Sequence, residues 1–205
     1  MSGKRSTHLS KLLSHVLRHK AVELGFQMDS GGYVNVSDLL CNVKFQRYTV
    51  DDIREVVATC EKQRFCLREH QESGRLQIRA NQGHSISIPD LELQPITDAS
   101  QYPTVIHGTY LKNWDSIKAK GLSRMGRTHV HFAQGEPGDQ GVISGMRRSC
   151  ELIIYLDLER ALTDGLSFFL SKNGVILSSG DENGFIHPKY FKQAIRTRPR
   201  QIVPL

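Results

Sequence analysis

Val105-Ile106-His107-Gly108-Thr109 and Gly126-Arg127-Thr128-His129-Val130-His131-Phe132-Ala133 are the stretches from which the second half of this chain is read. The first is an apolar pair running into His-Gly-Thr. The second alternates polar and apolar from Thr128 to Phe132, so His129 and His131 share one face of a strand and Val130 takes the other. Between them, Asn113 to Lys120 predicts a helix stopped by Gly121. Three histidines and Arg127 therefore gather at the ends of two strands. That pattern fits a His-rich surface strand as well as a binding site, and spacing alone does not choose.

Outward from this pair, Leu152 to Leu156 and Gly174 to Leu177 are strand-like, and the loop from Gln134 to Gly145 carries four glycines. A further short helix is expected near Lys189 to Ala194. The second half thus reads as mixed α+β. Before it, Pro89 to Pro103 holds three prolines among polar residues and reads as a connection. The expected division is 1–92, a linker at 93–103, and 104–205.

In the first half, Leu9, Leu12, Leu13, Val16 and Leu17 make one face of an amphipathic helix over Thr7 to Lys20, opened by Ser6 or Thr7. Gly31-Gly32 turns into a short strand at Tyr33 to Val36, and Ser37 caps a short helix with Leu39 and Leu40. Thr49 caps a second helix, with Asp51 and Asp52 in its first turn and Val50, Ile53, Val56 and Val57 as its buried stripe. Arg64 to Arg68 and Arg75 to Arg79 then form a hairpin. Helix, strand, helix, helix, hairpin is the order of a winged helix, a hint about function and no more.

The 205 residues carry a formal charge of +6 and a pI near 9.2, which allows an anionic partner. Basic and acidic residues number 13 and 11 up to residue 95, and 14 and 10 after it, so no polybasic tail concentrates the charge. Cys41, Cys60, Cys66 and Cys150 form no CxxC pair, which fits a reduced intracellular chain better than a zinc site. No apolar run approaches the roughly 18 residues of a membrane span, and Met1 to Ser6 lacks the look of a secretory signal.

Three groups could carry chemistry. Arg18, His19 and Arg64 offer two phosphate-binding forks and a proton carrier, although cations in the last turn of a helix also simply complement its dipole. His107-Gly108-Thr109 with Arg127, His129 and His131 lacks an Asp or Glu at ligand spacing. It suits a ribose or adenosine hydroxyl better than a metal, since a glycine lets a ligand approach the backbone. Gly141 to Arg148 could cradle a pyrophosphate or be a plain turn; it is neither Walker A nor GxGxxG.

Seven stretches taken together resemble the RNA 2′-phosphotransferase family. They are Leu17-Arg18-His19-Lys20, Lys62-Gln63-Arg64-Phe65, Ile78 to Ser85, His107-Gly108-Thr109, Gly126 to Phe132, Val142 to Arg147, and Lys172-Asn173-Gly174-Val175, in the family's order over residues 9 to 195. The segment Gly138 to Arg147 is similar to animal forms. The resemblance implies a winged-helix RNA-binding lobe followed by a lobe of the ADP-ribosyltransferase type, with the site in the cleft between them.

It also implies a two-step reaction that consumes NAD and needs no metal. The 2′-phosphate at an RNA splice junction attacks the nicotinamide-linked ribose carbon of NAD, and nicotinamide leaves. The 2″-hydroxyl then attacks that phosphate, releasing RNA 2′-OH and ADP-ribose 1″,2″-cyclic phosphate. Carried over by motif, Arg18, His19, Arg64 and Arg127 form the catalytic tetrad. His107, Gly108, Thr109, His129, His131, Ser144, Gly145, Asn173 and Gly174 line the NAD side. The implied partner is 2′-phosphorylated RNA, tRNA above all, for a monomer of the cytoplasm or nucleus. The rival activities are ADP-ribose capping of phosphorylated RNA ends and a non-catalytic RNA- or ADP-ribose-binding module. The tail with Arg196, Arg198 and Arg200 lies outside the motifs and reads as solvated and basic.

Overall fold

The structure is a computed structural model that describes residues 3–136, 138–139, 142, 146–147 and 149–205. The chain divides into two compact units, Met1–Glu92 and Leu93–Leu205.

In the first unit, α1 spans Gly3–His15 and buries Leu9 and Leu13. It starts a turn earlier than Ser6 or Thr7 would set it. Its last turn, Val16–Lys20, is a π-helix of five residues that buries Val16 and Leu17 and carries Arg18, His19 and Lys20. Strand β1 (Val34–Asn35) leads into α2 (Val36–Cys41), whose N-cap position falls at Asn35 rather than at Ser37, with no side-chain cap bond. Helix α3 (Val50–Ala58) opens on a reciprocal capping box. Thr49 Oγ1 accepts from the Asp52 amide at 3.2 Å, and Asp52 Oδ2 accepts from the Thr49 amide at 2.9 Å.

Strands β2 (Phe65–Glu69) and β3 (Leu76–Ala80) form the expected hairpin, and the antiparallel sheet runs β1-β3-β2. Leu9, Leu13, Leu17, Leu39, Ile53 and Ile78, all fully buried, fill the core beneath it. Burial of each such side chain is worth about 1.5–3 kcal/mol, so the packed stripe of α1 fixes the turn that follows it.

The second unit contains β4 (Leu93–Ile96), β5 (Ile106–Thr109), α4 (Trp114–Lys120), β6 (Leu122–Ser123), β7 (Val130–Phe132) and β8 (Leu152–Leu156). It continues with α5 (Leu158–Thr163), β9 (Phe168–Ser171), β10 (Ile176–Ser178), β11 (Phe185–Ile186), β12 (Phe191–Thr197) and β13 (Arg200–Val203). Two four-stranded sheets run β4-β9-β10-β7 and β13-β12-β8-β5, and β11-β6 makes a small third. Every pairing is antiparallel. Among the described residues, the two large sheets meet at one bridge, where Ile106 and Ala133 exchange backbone hydrogen bonds of 3.0 and 2.9 Å. The molecule as a whole is α+β.

Three expectations are corrected. The stretch 93–103 is not linker throughout, because Leu93–Ile96 pairs with β9 from Leu93↔Ser171 to Ile96↔Phe168. Pro95 is tolerated there since β4 is an edge strand, where a missing N–H breaks no ladder. Lys189 to Ala194 is not a helix: a 3-10 turn at Pro188–Tyr190 runs into β12, whose Phe191, Ala194 and Ile195 are buried. The arginine-rich end is not a solvated tail, since Arg200–Val203 pairs along β12 from Ala194↔Val203 to Thr197↔Arg200.

Candidate active site

The π-turn after α1 sets the geometry of the first unit's site. It brings Arg18 and His19 onto a groove of about 630 Å³ that Arg64 also lines. π-turns inside helices recur at functional sites because the extra residue re-aims the side chains around it. Two short tethers from the segment that follows β3 hold the parts together. Asn81 grips the other strand of the hairpin: its amide donates to the Arg64 carbonyl at 2.8 Å and its Nδ2 to the Gln63 carbonyl at 2.7 Å. Gln63 sits at φ +41, a backbone conformation uncommon outside glycine, immediately before Arg64.

Four residues on, the Ser85 amide donates to the Arg18 carbonyl at 3.0 Å, and the Ser85 hydroxyl lies 2.9 Å from His19 Nδ1. Gly83, at φ +89, passes so close to Arg18 that a β-carbon there would stand 3.3 Å from the guanidinium carbon. Arg64 donates from Nη1 to Cys60 Sγ at 3.3 Å, which ties the guanidinium to the end of α3. Residues 81–85 thus tie the Arg18-His19 turn to Arg64, a contribution that the motif residues alone did not suggest. The signal was present, since Ala80 to Ser85 is a distinctive run directly after a hairpin.

The second unit assembles its own cluster around the seam of the two sheets. His107 of β5 donates from Nδ1 to the His131 carbonyl of β7 at 2.9 Å, a side-chain bridge across the seam. A carbonyl only accepts, so this bond puts the proton on Nδ1 and makes Nε2 the acceptor of the neutral ring. Burial, seconded by the Arg127 charge and opposed by the His131 carbonyl, holds the His107 pKa below its usual value. His129, with Nδ1 2.9 Å from Thr128 Oγ1, is likewise lowered by burial, and Arg124 adds to the effect. Arg127 is exposed, yet its guanidinium is desolvated enough, and near enough to Arg147, that desolvation first, and the second cation after it, depress its pKa. Two arginines and two neutral imidazoles make a locality that favours an anion flanked by hydroxyls, and in this respect the residues fit an anionic dinucleotide.

Other residues expected on this side have structural partners in the fold. Gly108 is open to no ligand on the face where its β-carbon would be, because Met146 Sδ lies 2.6 Å from that position. The buried Thr109 accepts at Oγ1 from Asn113 Nδ2 at 3.2 Å. Asn173 and Gly174 form the turn between β9 and β10: the Gly174 amide donates to the Ser171 carbonyl at 2.9 Å, with φ +74 at the glycine. Asn173 Oδ1 accepts from the Ser171 hydroxyl at 2.9 Å, and the Gly174 carbonyl accepts from Gln134 Nε2 at 2.6 Å. Ser144 and Gly145 lie outside the described residues. Among the described residues, no group of three or more His, Cys, Asp or Glu is placed to hold a metal.

Two arginines and a histidine line the groove of the first unit, side chains whose chemistry suits a phosphate. The match to the family model of the RNA 2′-phosphotransferases, the Tpt1/KptA family, covers residues 4–180, and the chain belongs to that family. It is 52% identical over 197 residues to tRNA 2′-phosphotransferase 1 of Danio rerio, covering 95% of this chain and 88% of that protein. Over 196 residues it is 50% identical to the Homo sapiens tRNA 2′-phosphotransferase 1, covering 95% and 78%. The tRNA 2′-phosphotransferase of Saccharomyces cerevisiae is 42% identical over 184 residues, covering 86% and 80%.

Proposed function

We propose that this protein removes the splice-junction 2′-phosphate of RNA, tRNA above all, by transferring it to NAD. The observation that carries the reading is the convergence of Arg18, His19 and Arg64 on one groove under the tethers of Asn81 and Ser85. The order of elements in the first unit, with β1 paired to β3, supports a winged helix. The paired antiparallel sheets of the second unit support a lobe of the ADP-ribosyltransferase type.

In this reading Arg18 and Arg64 present planar forks to the phosphate oxygens, and Arg127 is the third cation that the family resemblance assigns to the reaction. The phosphate is already a nucleophile, so orientation contributes more to the first step than a base would. Charge then develops on the phosphate oxygens, and fixed guanidinium groups stabilise it without reorganising. Ser85 holds the His19 ring at Nδ1, so the proton that His19 exchanges travels on Nε2. NAD, when bound, supplies the ribose carbon and hydroxyl that receive the phosphate. His107 Nε2 would accept a hydrogen bond from a ribose hydroxyl, and Arg147 would favour the pyrophosphate. His129, His131, Thr109, Asn173, Gly174, Ser144 and Gly145 complete that side of the proposal. Gly108 serves it through the packing of Met146.

The reading assigns no step to a metal and needs one copy of the chain, acting in the cytoplasm or nucleus. No helix among the described residues is long and apolar enough to cross a membrane.

Incubation with NAD and a 2′-phosphorylated oligoribonucleotide tests it. The expected products are nicotinamide, RNA 2′-OH and ADP-ribose 1″,2″-cyclic phosphate, at a rate unchanged by chelators. Accumulation of ADP-ribosylated RNA with no cyclic phosphate would show a capping ADP-ribosyltransferase instead. Arg64→Ala or His19→Ala turning over at the wild-type rate would remove the tetrad.

A further inference from the structure

The groove of the first unit is longer than a single phosphate requires. From Arg18 it follows α1 back through Ser14 and Ser10 to Ser6. These serines are spaced by four, so their hydroxyls line up along one side of the helix. Lys11 and His15, also four apart, form the neighbouring row and lead to Arg18 and His19. Lys11 stands seven residues before Arg18, about 10 Å along the helix at the usual rise of 1.5 Å per residue.

The chemistry of the lining is selective. Four Lys or Arg side chains, Lys11, Arg18, Lys62 and Arg64, face one carboxylate, Glu61. Hydroxyls and cations of this kind hold phosphates and sugars. No Phe, Tyr or Trp lines the groove among the described residues, so it offers no platform on which bases stack. Helix α3 bears Asp51, Asp52 and Glu55 against a lone Arg54, a poor match for a polyanion.

We propose that this arm of the groove is a subsite for the sugar–phosphate backbone of single-stranded RNA flanking the 2′-phosphorylated nucleotide, read without regard to base. The inference rests on the reading of Arg18, His19 and Arg64 as the phosphate site. It makes α1, rather than α3, the helix that carries the RNA. Lys11 pairs with a backbone phosphate next to the reacting nucleotide, and the serine row donates to its neighbours.

Binding of a labelled 2′-phosphorylated octaribonucleotide and of the corresponding dinucleotide, followed by fluorescence anisotropy over a range of salt, provides the test. The wild type is expected to bind the octanucleotide more tightly and with the steeper salt dependence. Lys11→Glu changes an exposed side chain and should weaken octanucleotide binding about tenfold. It should also lower the slope of log K against log salt by about 0.7 for each RNA phosphate that is no longer neutralised. Ser10→Leu, which fills the groove without altering charge, should weaken binding of the octanucleotide with its salt slope kept. Equal binding of the two RNAs by the wild type, or an unchanged affinity and slope in Lys11→Glu, overturns the subsite. Should both variants behave as expected while neither RNA loses its 2′-phosphate with NAD, the subsite stands and the functional reading falls.

Discussion

Replacing Gly83 by alanine probes the clamp on Arg18 most directly. The residue sits at φ +89, and its β-carbon would lie 3.3 Å from Arg18 Cζ and Nε and 3.4 Å from Nη1. Two costs separate. An L-residue in the left-handed region loses about 1–2 kcal/mol. The contact, tighter than the roughly 3.5–4.0 Å at which such atoms attract, pushes the guanidinium aside by a few tenths of an ångström. Gly74 supplies the control: it has φ +64 and no heavy atom within 4 Å of its β-carbon position. Gly74→Ala therefore carries the backbone cost alone. For a unit of this size each kcal/mol lowers the melting midpoint by about 4–8 °C, so calorimetry should show both variants destabilised to a similar extent. Only Gly83→Ala should lose kcat/KM for 2′-phosphate removal, by about tenfold, which is about 1.4 kcal/mol at the transition state. Rates are compared well below both midpoints. If Gly83→Ala then turns over as fast as Gly74→Ala, the close approach to Arg18 has no part in placing the arginine, and the clamp is refuted.

Ser85→Ala removes the hydroxyl beside His19 Nδ1; kcat should fall severalfold with the midpoint barely moved, and Ser85→Thr should restore most of the rate. Glu136 carries a bidentate pair with Arg200 at 2.6 and 2.8 Å and a hydrogen bond from Tyr155, and these hold its pKa down to about 2 against an ordinary 4.5. Its stabilising effect is complete above the unfolded value and is lost as pH falls from about 4.5 toward 2. Melting curves of wild type and Glu136→Gln should therefore differ at neutral pH and converge on acidification. The lowered pKa of His107 acts at milder pH: below about 6.5 the unfolded chain takes up a proton that the folded one refuses, so stability declines. His107→Gln should flatten that decline, and a titration followed by NMR should place the midpoint of the ring below the ordinary 6.5.

Local pattern reached a long way into this molecule. The apolar spacing of Leu9, Leu13 and Leu17 predicts α1, Thr49 with Asp52 predicts the start of α3, and the alternation around Val130 predicts β7; all three depend on neighbours within a few residues. Pattern failed where partners were distant in sequence. Pro95 looked like linker because nothing nearby says that β9 will pair with it, and Lys189 to Ala194 looked helical because nothing within it says that β8 and β13 will enclose the strand that begins at Phe191. Arg200 read as tail for the same reason, its carboxylate partner lying 64 residues away.

The residues proposed for the site, Arg18, His19, Arg64 and Arg127, and the order of the motifs that carry them, are properties of the sequence itself. The arrangement of Arg18, His19 and Arg64 in the first unit was a decision of the tertiary structure. A side chain's reach is short, and Ser85 meets His19 across 66 positions only because β3 returns the chain to the π-turn that closes α1. Likewise the His107 tautomer is set by a carbonyl 24 residues on, which two sheets bring to its ring. Chemistry was legible in the letters because arginine and histidine mean much the same wherever they stand. Geometry was not, because hydrogen bonds that fix it join residues whose separation along the chain carries no signal.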